Sequence, residues 1–231
     1  MTLTGYTVAV TAPQQHLVTV HLRQYGAKVV ELPLQAPLRQ LIRMVIKREV
    51  HAVCFINADV AAALVDFAGR AGLRADLLAA FATDVLAAGA ARPFTELTIP
   101  ALWMEVDGEL ARLVAMALAD RRRQFTARGI RFVSQGDALL VGQTSILLTP
   151  ASAGIMRALS DDPGATRSRA TLAQLAPLGR RRRGSGVDLA VSRLRTALGD
   201  YSWLVATVSR RGYQLRADSA EHDDADAVTQ A

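Results

Sequence analysis

Arg193 and Arg195, with Ser192 and Thr196 beside them, and the triplet Ser209-Arg210-Arg211 bring together the side chains best suited to chemistry in this chain. A guanidinium is a planar fork of donors that matches the paired acceptors of phosphates, carboxylates and base edges, and a short hydroxyl can donate or accept beside it. This is the chemistry of recognition, since none of these groups is a nucleophile paired with a base. A third group, Arg180-Arg181-Arg182-Arg183, adds four consecutive cations.

The elements that must position these groups follow from spacing. Val187, Val191, Leu194 and Leu198 recur at helical intervals and form one apolar stripe, and Gly199 is placed to end the helix. That stripe faces a core, so Asp188, Ser192 and Thr196 fall on the open side with Arg193 and Arg195 flanking them. Downstream, Leu204 to Ser209 and Tyr213 to Arg216 read as two strands of a hairpin joined through Arg210-Arg211-Gly212. A cationic helix face followed by a cationic hairpin tip suits a duplex groove and its backbone.

Charge distribution points the same way. The chain has 231 residues, 51% of them hydrophobic, and a formal net charge of +6, enough for two small domains with cores of their own. Residues 121–218 hold 17 Lys or Arg against 6 Asp or Glu, all 17 being arginine, whereas residues 1–120 hold 10 against 11. A basic module joined to a near-neutral one is the electrostatic footprint of a polyanion binder, most often of nucleic acid. The last stretch, residues 219–231, is acidic and aperiodic, and is expected to be disordered.

The amino-terminal part alternates strand-like and helical patterns. Tyr6 to Ala12, Lys28 to Leu32, His51 to Ile56 and Asp84 to Ala88 read as strands. Gln14 to Tyr25, Leu38 to Arg48 and Asp59 to Ala71 read as helices between them, and Asp107 to Arg121 follows. Such alternation predicts a parallel sheet with helices on both faces, whose ligand crevice lies at the carboxyl ends of the strands. Here those ends are Thr11 to Gln14, Pro33 to Gln35, Asn57 to Asp59 and Gly89 to Pro93, and they gather no catalytic set. Cys54, the only cysteine, sits in an apolar run and reads as a buried thiol. The four histidines show no metal-ligand spacing. The amino terminus lacks the features of a secretory signal and no apolar run is long enough for a membrane span, so a cytoplasmic protein is expected.

Beyond a domain boundary near residue 124, short strands IRFV, ALLV and SILL precede three helical patterns: one opened by Leu148-Thr149-Pro150, one capped by Ser168, and the arginine-bearing one. Strands, three helices and a hairpin spell a winged helix-turn-helix. With LTP at 148, TRSRATLAQL, VDLAVSRLRTALGD and TVSRRGYQL, residues 124–218 resemble the OmpR/PhoB-type DNA-binding domain. The resemblance implies that the third helix enters the major groove through Ala190, Ser192, Arg193, Arg195 and Thr196. It also implies that the wing reaches the minor groove or backbone through Ser209, Arg210 and Arg211, and that the loop with Arg180, Arg181, Arg182 and Arg183 touches DNA or RNA polymerase. Ser192 stands where many members are basic, and Arg210 where glycine is usual.

Residues 1–123 resemble about half of a uroporphyrinogen-III synthase, through LTGYTVAVTAPQ, YGAKVVELPL and EVHAVCFINADVAAALVDFAGRAGL. Half a synthase lacks one of the two walls that enclose its substrate, and Ile56-Asn57 replace a usual Thr-Ser pair, so no catalysis and no cofactor are expected. A phosphoacceptor receiver is set aside because Thr11-Ala12-Pro13-Gln14 offers no acid pair for a cation. The expected fold is therefore α/β, a parallel-sheet βα domain that is half of a synthase-like fold followed by a winged helix-turn-helix domain. The expected function is a transcriptional regulator acting on double-stranded DNA as a homo-oligomer, since a single winged helix covers a small interface. Competing readings are a residual tetrapyrrole-processing enzyme and a nucleoid binder without sequence preference.

Overall fold

The computed structural model describes residues 2–12, 16–33, 38–89, 101–103, 107–176 and 185–218. Five short runs form one parallel sheet: β1 (Thr7–Thr11), β2 (Lys28–Leu32), β3 (Ala52–Phe55), β4 (Leu86–Gly89) and β5 (Ala101–Trp103), in the order β2-β1-β3-β4-β5. All of β3 and Val8 to Thr11 of β1 are buried, as strands covered on both faces must be. Alternation divides their side chains between two cores. Val8, Val10, Ala52 and Cys54 pack with α1 (Leu17–Gln24) and α5 (Asp107–Ala119), while Ala9, Val53 and Phe55 pack with α2 (Leu38–Ile46), α3 (Ala58–Arg70) and α4 (Arg74–Thr83).

The strand ends where a ligand would be expected spend their polar groups on structure. Thr11 donates its hydroxyl to the carbonyl of Cys54 at 3.3 Å, and the Asn57 side chain caps α3 by accepting from the Asp59 N–H at 2.8 Å. Asp59 is the first-turn acid of that helix. The expected ligand positions within residues 13–15, 34–35 and 90–93 lie outside the described residues.

Cys54 is fully buried, and loss of hydration pushes its thiol up to about 12. A neutral, inaccessible thiol does not react. Native protein is therefore expected to resist iodoacetamide at pH 8 and to take up one equivalent only on unfolding; rapid native labelling, read by mass spectrometry, would contradict this packing.

The second domain opens with an antiparallel meander, β6 (Arg123–Ala127), β7 (Ile130–Gln135), β8 (Ala138–Val141) and β9 (Thr144–Leu147). Three helices follow, α6 (Pro150–Ser160), α7 (Arg169–Leu175) and α8 (Ser185–Leu198), with the short strand β10 (Thr166–Arg167) before α7. A 3-10 turn over Gly199–Leu204 then leads into the hairpin β11 (Val205–Val208) and β12 (Gly212–Leu215), and β12 pairs with both β10 and β11. Thr149 caps α6 and Ser168 caps α7, each accepting from a backbone N–H in the first turn. One core joins these parts: Phe132 of the meander, Met156 and Leu159 of α6, Leu172 of α7, Val191 and Leu194 of α8 and Leu215 of the hairpin. The arrangement is winged-helix-like.

The two domains meet at the amino-terminal edge of the parallel sheet. Gly5 and Gly136 bring their backbones together there: a Cβ on Gly5 would lie 2.6 Å from the Ala138 Cβ, and one on Gly136 would collide with the Gly5 carbonyl. The close approach lets Asp137 donate its N–H to the Gly5 carbonyl at 2.8 Å and Gln135 donate its amide to the Thr4 carbonyl at 2.6 Å.

Four elements differ from the sequence expectation. α4 and β5 have no counterpart among the expected elements, and β6 (Arg123–Ala127) precedes IRFV, the first strand expected after the boundary near residue 124. The helix expected over 38–48 stops at Ile46, and Arg48 takes a left-handed φ of 55°.

Candidate nucleic-acid interface

Helix α8 divides its residues sharply between core and solvent. Val187, Ala190, Val191, Leu194 and Leu198 are buried at helical intervals, whereas Leu189, Ser192, Arg193 and Thr196 are exposed. These four recur at i, i+3, i+4 and i+7, so they form one continuous outer ridge. Ala190 does not belong to it. Its side chain is 3% exposed and its carbonyl accepts from the Ser152 hydroxyl at 3.3 Å, which removes it from any surface contact. Leu189 was missed by sequence reasoning, yet an exposed aliphatic beside hydroxyls and a guanidinium is the partner a thymine methyl requires.

The two arginines of α8 have different fates. Arg193 has no hydrogen-bond or ion-pair partner among the described residues, so its fork is available. Arg195 turns toward the hairpin instead. Its Nε and Nη2 donate to the Val205 carbonyl at 3.0 and 2.7 Å, and Nη2 donates to the Thr207 hydroxyl at 2.9 Å. Three donors are thereby committed, and the expected base contact from Arg195 is corrected to a brace between α8 and β11. Thr196 donates to the Ser192 carbonyl one turn back at 3.1 Å, leaving its oxygen lone pairs open.

A second brace ties the same hairpin to α7. Tyr213 of β12 donates its hydroxyl to Asp188 at 2.6 Å, Arg169 donates to the same carboxylate at 2.9 Å, and the Arg169 guanidinium lies 5.0 Å from the Tyr213 ring centre. The tyrosine hydroxyl, and then Arg169, hold the Asp188 carboxyl below its usual range. Burial pushes Tyr213 up, and its bond to Asp188 adds to the effect. Because the folded carboxyl is depressed, this brace is complete at neutral pH and weakens only as acid carries the solution below the ordinary carboxylate range. Asp188 is therefore not an open-face reader, although sequence placed it on that side.

The hairpin tip consists of Ser209, Arg210 and Arg211, all exposed. Gly212 explains its path: with φ at +140°, it lies so close to the Arg167 backbone that any Cβ would strike the Arg167 carbonyl. Arg210 takes a φ of +58°, the left-handed region that costs a side-chain-bearing residue about 1 kcal/mol. Arg210→Gly is thus expected to leave thermal stability unchanged or slightly higher while removing one cation. If the tip meets phosphate, the log-log slope of affinity against salt drops by about 0.9; an unchanged slope places the tip away from the backbone. Arg180 to Arg183 lie outside the described residues.

Among the described residues no helix is long and apolar enough to cross a membrane, and no group of three or more His, Cys, Asp or Glu side chains is placed to hold a metal ion. No family model and no curated protein matches the chain. Among solved structures, it is similar to the DNA-binding domain of the response regulator AdeR in complex with an intercistronic region, at 21% identity over 36% of this chain and 87% of that one, with a TM-score of 0.33. It is also similar to the C-terminal DNA-binding domain of RstA from Klebsiella pneumoniae, at 26% identity over 35% of this chain and 76% of that one, with a TM-score of 0.29. DrrB, a Thermotoga maritima OmpR/PhoB homologue, aligns with 94% of this chain and 100% of its own, at 14% identity and a TM-score of 0.37. At these TM-scores the likenesses carry no functional argument, and function is read from side-chain placement.

Proposed function

We propose that the chain is a cytoplasmic transcriptional regulator that reads double-stranded DNA by laying α8 in the major groove and the β11–β12 tip on the adjoining backbone or minor groove. One observation carries this reading: the ridge Leu189, Ser192, Arg193 and Thr196 is exposed and stands beside a doubly cationic tip that Arg195 and Tyr213 fix to the same helix. Helix and tip form one rigid unit. Backbone contacts supply affinity and the ridge supplies discrimination.

The first domain serves in this reading as a non-catalytic sensor or dimerisation module, and its synthase likeness rests on sequence segments alone. The polar groups at its described strand ends already serve the fold, which supports a role other than catalysis. Association on DNA through this domain would provide the second half-site that specific affinity usually needs.

The test is competition between a duplex selected in vitro from random sequence and bulk random duplex, measured by fluorescence anisotropy with the full chain. A specificity ratio of roughly a thousandfold or more is expected for a regulator. A ratio near one would make the protein a non-selective DNA binder, and turnover of hydroxymethylbilane by the same preparation would make it an enzyme.

A further inference from the structure

Between the amino-terminal edge of the parallel sheet and helix α6 lies a cavity of about 350 Å³. It is of small-ligand size and sits at a domain interface, where such sites concentrate. Its walls hold Arg121, Arg123 and Arg157, two carboxylates, Asp84 and Asp161, and the edge of His51. The charges are not matched. Asp84 is held by Arg48 at 3.0 Å and accepts from the Thr83 hydroxyl, while Asp161 is held by Arg123 at 2.7 Å. Among the described residues the Arg121 guanidinium reaches only a carbonyl, that of Asp84, at 2.5 Å. Arg157 has no hydrogen-bond or ion-pair partner among the described residues.

Two guanidiniums thus line the cavity with no ion pair among the described residues. Burial pushes the Arg121 guanidinium below its usual range against the opposing pulls of Tyr6 and Asp84, and the like charge of Arg157 adds a smaller push in the same direction as burial. His51 contributes a donor. Its Nδ1 accepts from the Thr7 N–H at 3.0 Å, which puts the proton of the neutral ring on Nε2. That Nε2 is buried without a hydrogen bond, 3.4 Å from an Asp137 oxygen.

We propose that this cavity binds a compact multivalent oxyanion, a phosphate ester or a di- or tricarboxylate, gripped by Arg157 and Arg121 and approached by His51. Guanidinium forks match paired oxyanion oxygens of both classes. Since Arg121 and His51 come from the first domain and its edge and Arg157 from α6, an occupied cavity fixes the two domains against each other. That the anion thereby alters DNA affinity rests on the regulator reading; binding itself does not.

Isothermal titration of the full chain with inorganic pyrophosphate and with citrate, at constant ionic strength, tests the site. Saturable one-to-one binding of at least one probe is expected, pyrophosphate alone indicating phosphate ligands and citrate alone carboxylates. At a hundredfold excess over Kd the bound probe raises Tm by roughly 5–10 °C. Arg157→Gln, which breaks no hydrogen bond or ion pair among the described residues, weakens binding about tenfold or more, and Arg157→Lys gives an intermediate loss. Arg70→Gln, at the exposed end of α3, binds as the parent does. Failure of both probes to saturate, parental affinity in both Arg157 variants, or an equal loss in Arg70→Gln would overturn the site. Repeating the DNA titration with saturating probe isolates the coupling: a shifted affinity is expected, and saturable binding with unchanged DNA affinity would overturn the coupling alone.

Discussion

Arg193→Ala is expected to weaken binding to the preferred duplex by about 1–3 kcal/mol, roughly 5- to 150-fold, with little change in Tm and a smaller effect on random duplex. The side chain has no partner among the described residues, so its removal leaves no protein group unsatisfied. Arg195→Ala separates from it in kind. Truncation strips three donors from the Val205 carbonyl and the Thr207 hydroxyl, so the hairpin loosens, Tm falls, and specific and random duplex are lost together. Paired melting curves and titrations of the two variants decide the matter. If both lose affinity equally with equal Tm, the division between reader and brace is wrong.

Gly136→Ala is expected to have a large structural effect at the domain junction. Its φ of +53° costs alanine about 1 kcal/mol, and the new Cβ would enter the Gly5 backbone, adding about 1–3 kcal/mol of overpacking at the domain junction. Gly142 is the control, because its φ is +58° and nothing lies within 4 Å of its Cβ position. The two alanine variants share the conformational cost, so the difference between their melting temperatures reports domain docking. A Tm deficit several degrees larger for Gly136→Ala, with faster proteolysis around residues 120–123, is the expected pattern. Equal deficits would mean that the junction tolerates separation without loss.

Periodicity made the α8 stripe legible, because one face of that helix is apolar and the other is not. α4 lacked such a contrast: Leu77, Leu78, Ala79, Ala80, Phe81 and Ala82 are apolar all round, so no period marks the buried side, although only Leu77, Ala80 and Phe81 are buried. β5 is three residues long, too short to carry alternation. The parallel sheet was readable because β1 and β3 are continuous apolar runs. The site was legible as a set of residues and not as roles. A helical wheel places Arg195 at the margin of the open face, but it cannot show that the Val205 carbonyl waits within reach, since that contact depends on the turn over Gly199–Leu204. Ala190 was named through family resemblance, and its own position in the stripe, three residues after Val187, already argued for burial. The cavity at the junction left no local signature at all, being assembled from residues that lie as far apart in sequence as His51 and Arg157.

Asp218 closes the second domain on its own first hairpin. Its N–H donates to the Thr126 carbonyl at 2.8 Å, and its carboxylate accepts from the backbone N–H groups of Arg128 at 2.7 Å and Gly129 at 2.9 Å. The exit of the module is therefore anchored at the β6–β7 turn, one strand length from its entrance at Arg123. A tether or cargo attached after Asp218 would load that turn and leave the β11–β12 tip free of tension. With both ends on that one strand, the module is open to circular permutation, its old ends joined by a linker that spans β6 and new ends opened in the β8–β9 loop at Gly142, while α8 and the tip keep their mutual placement.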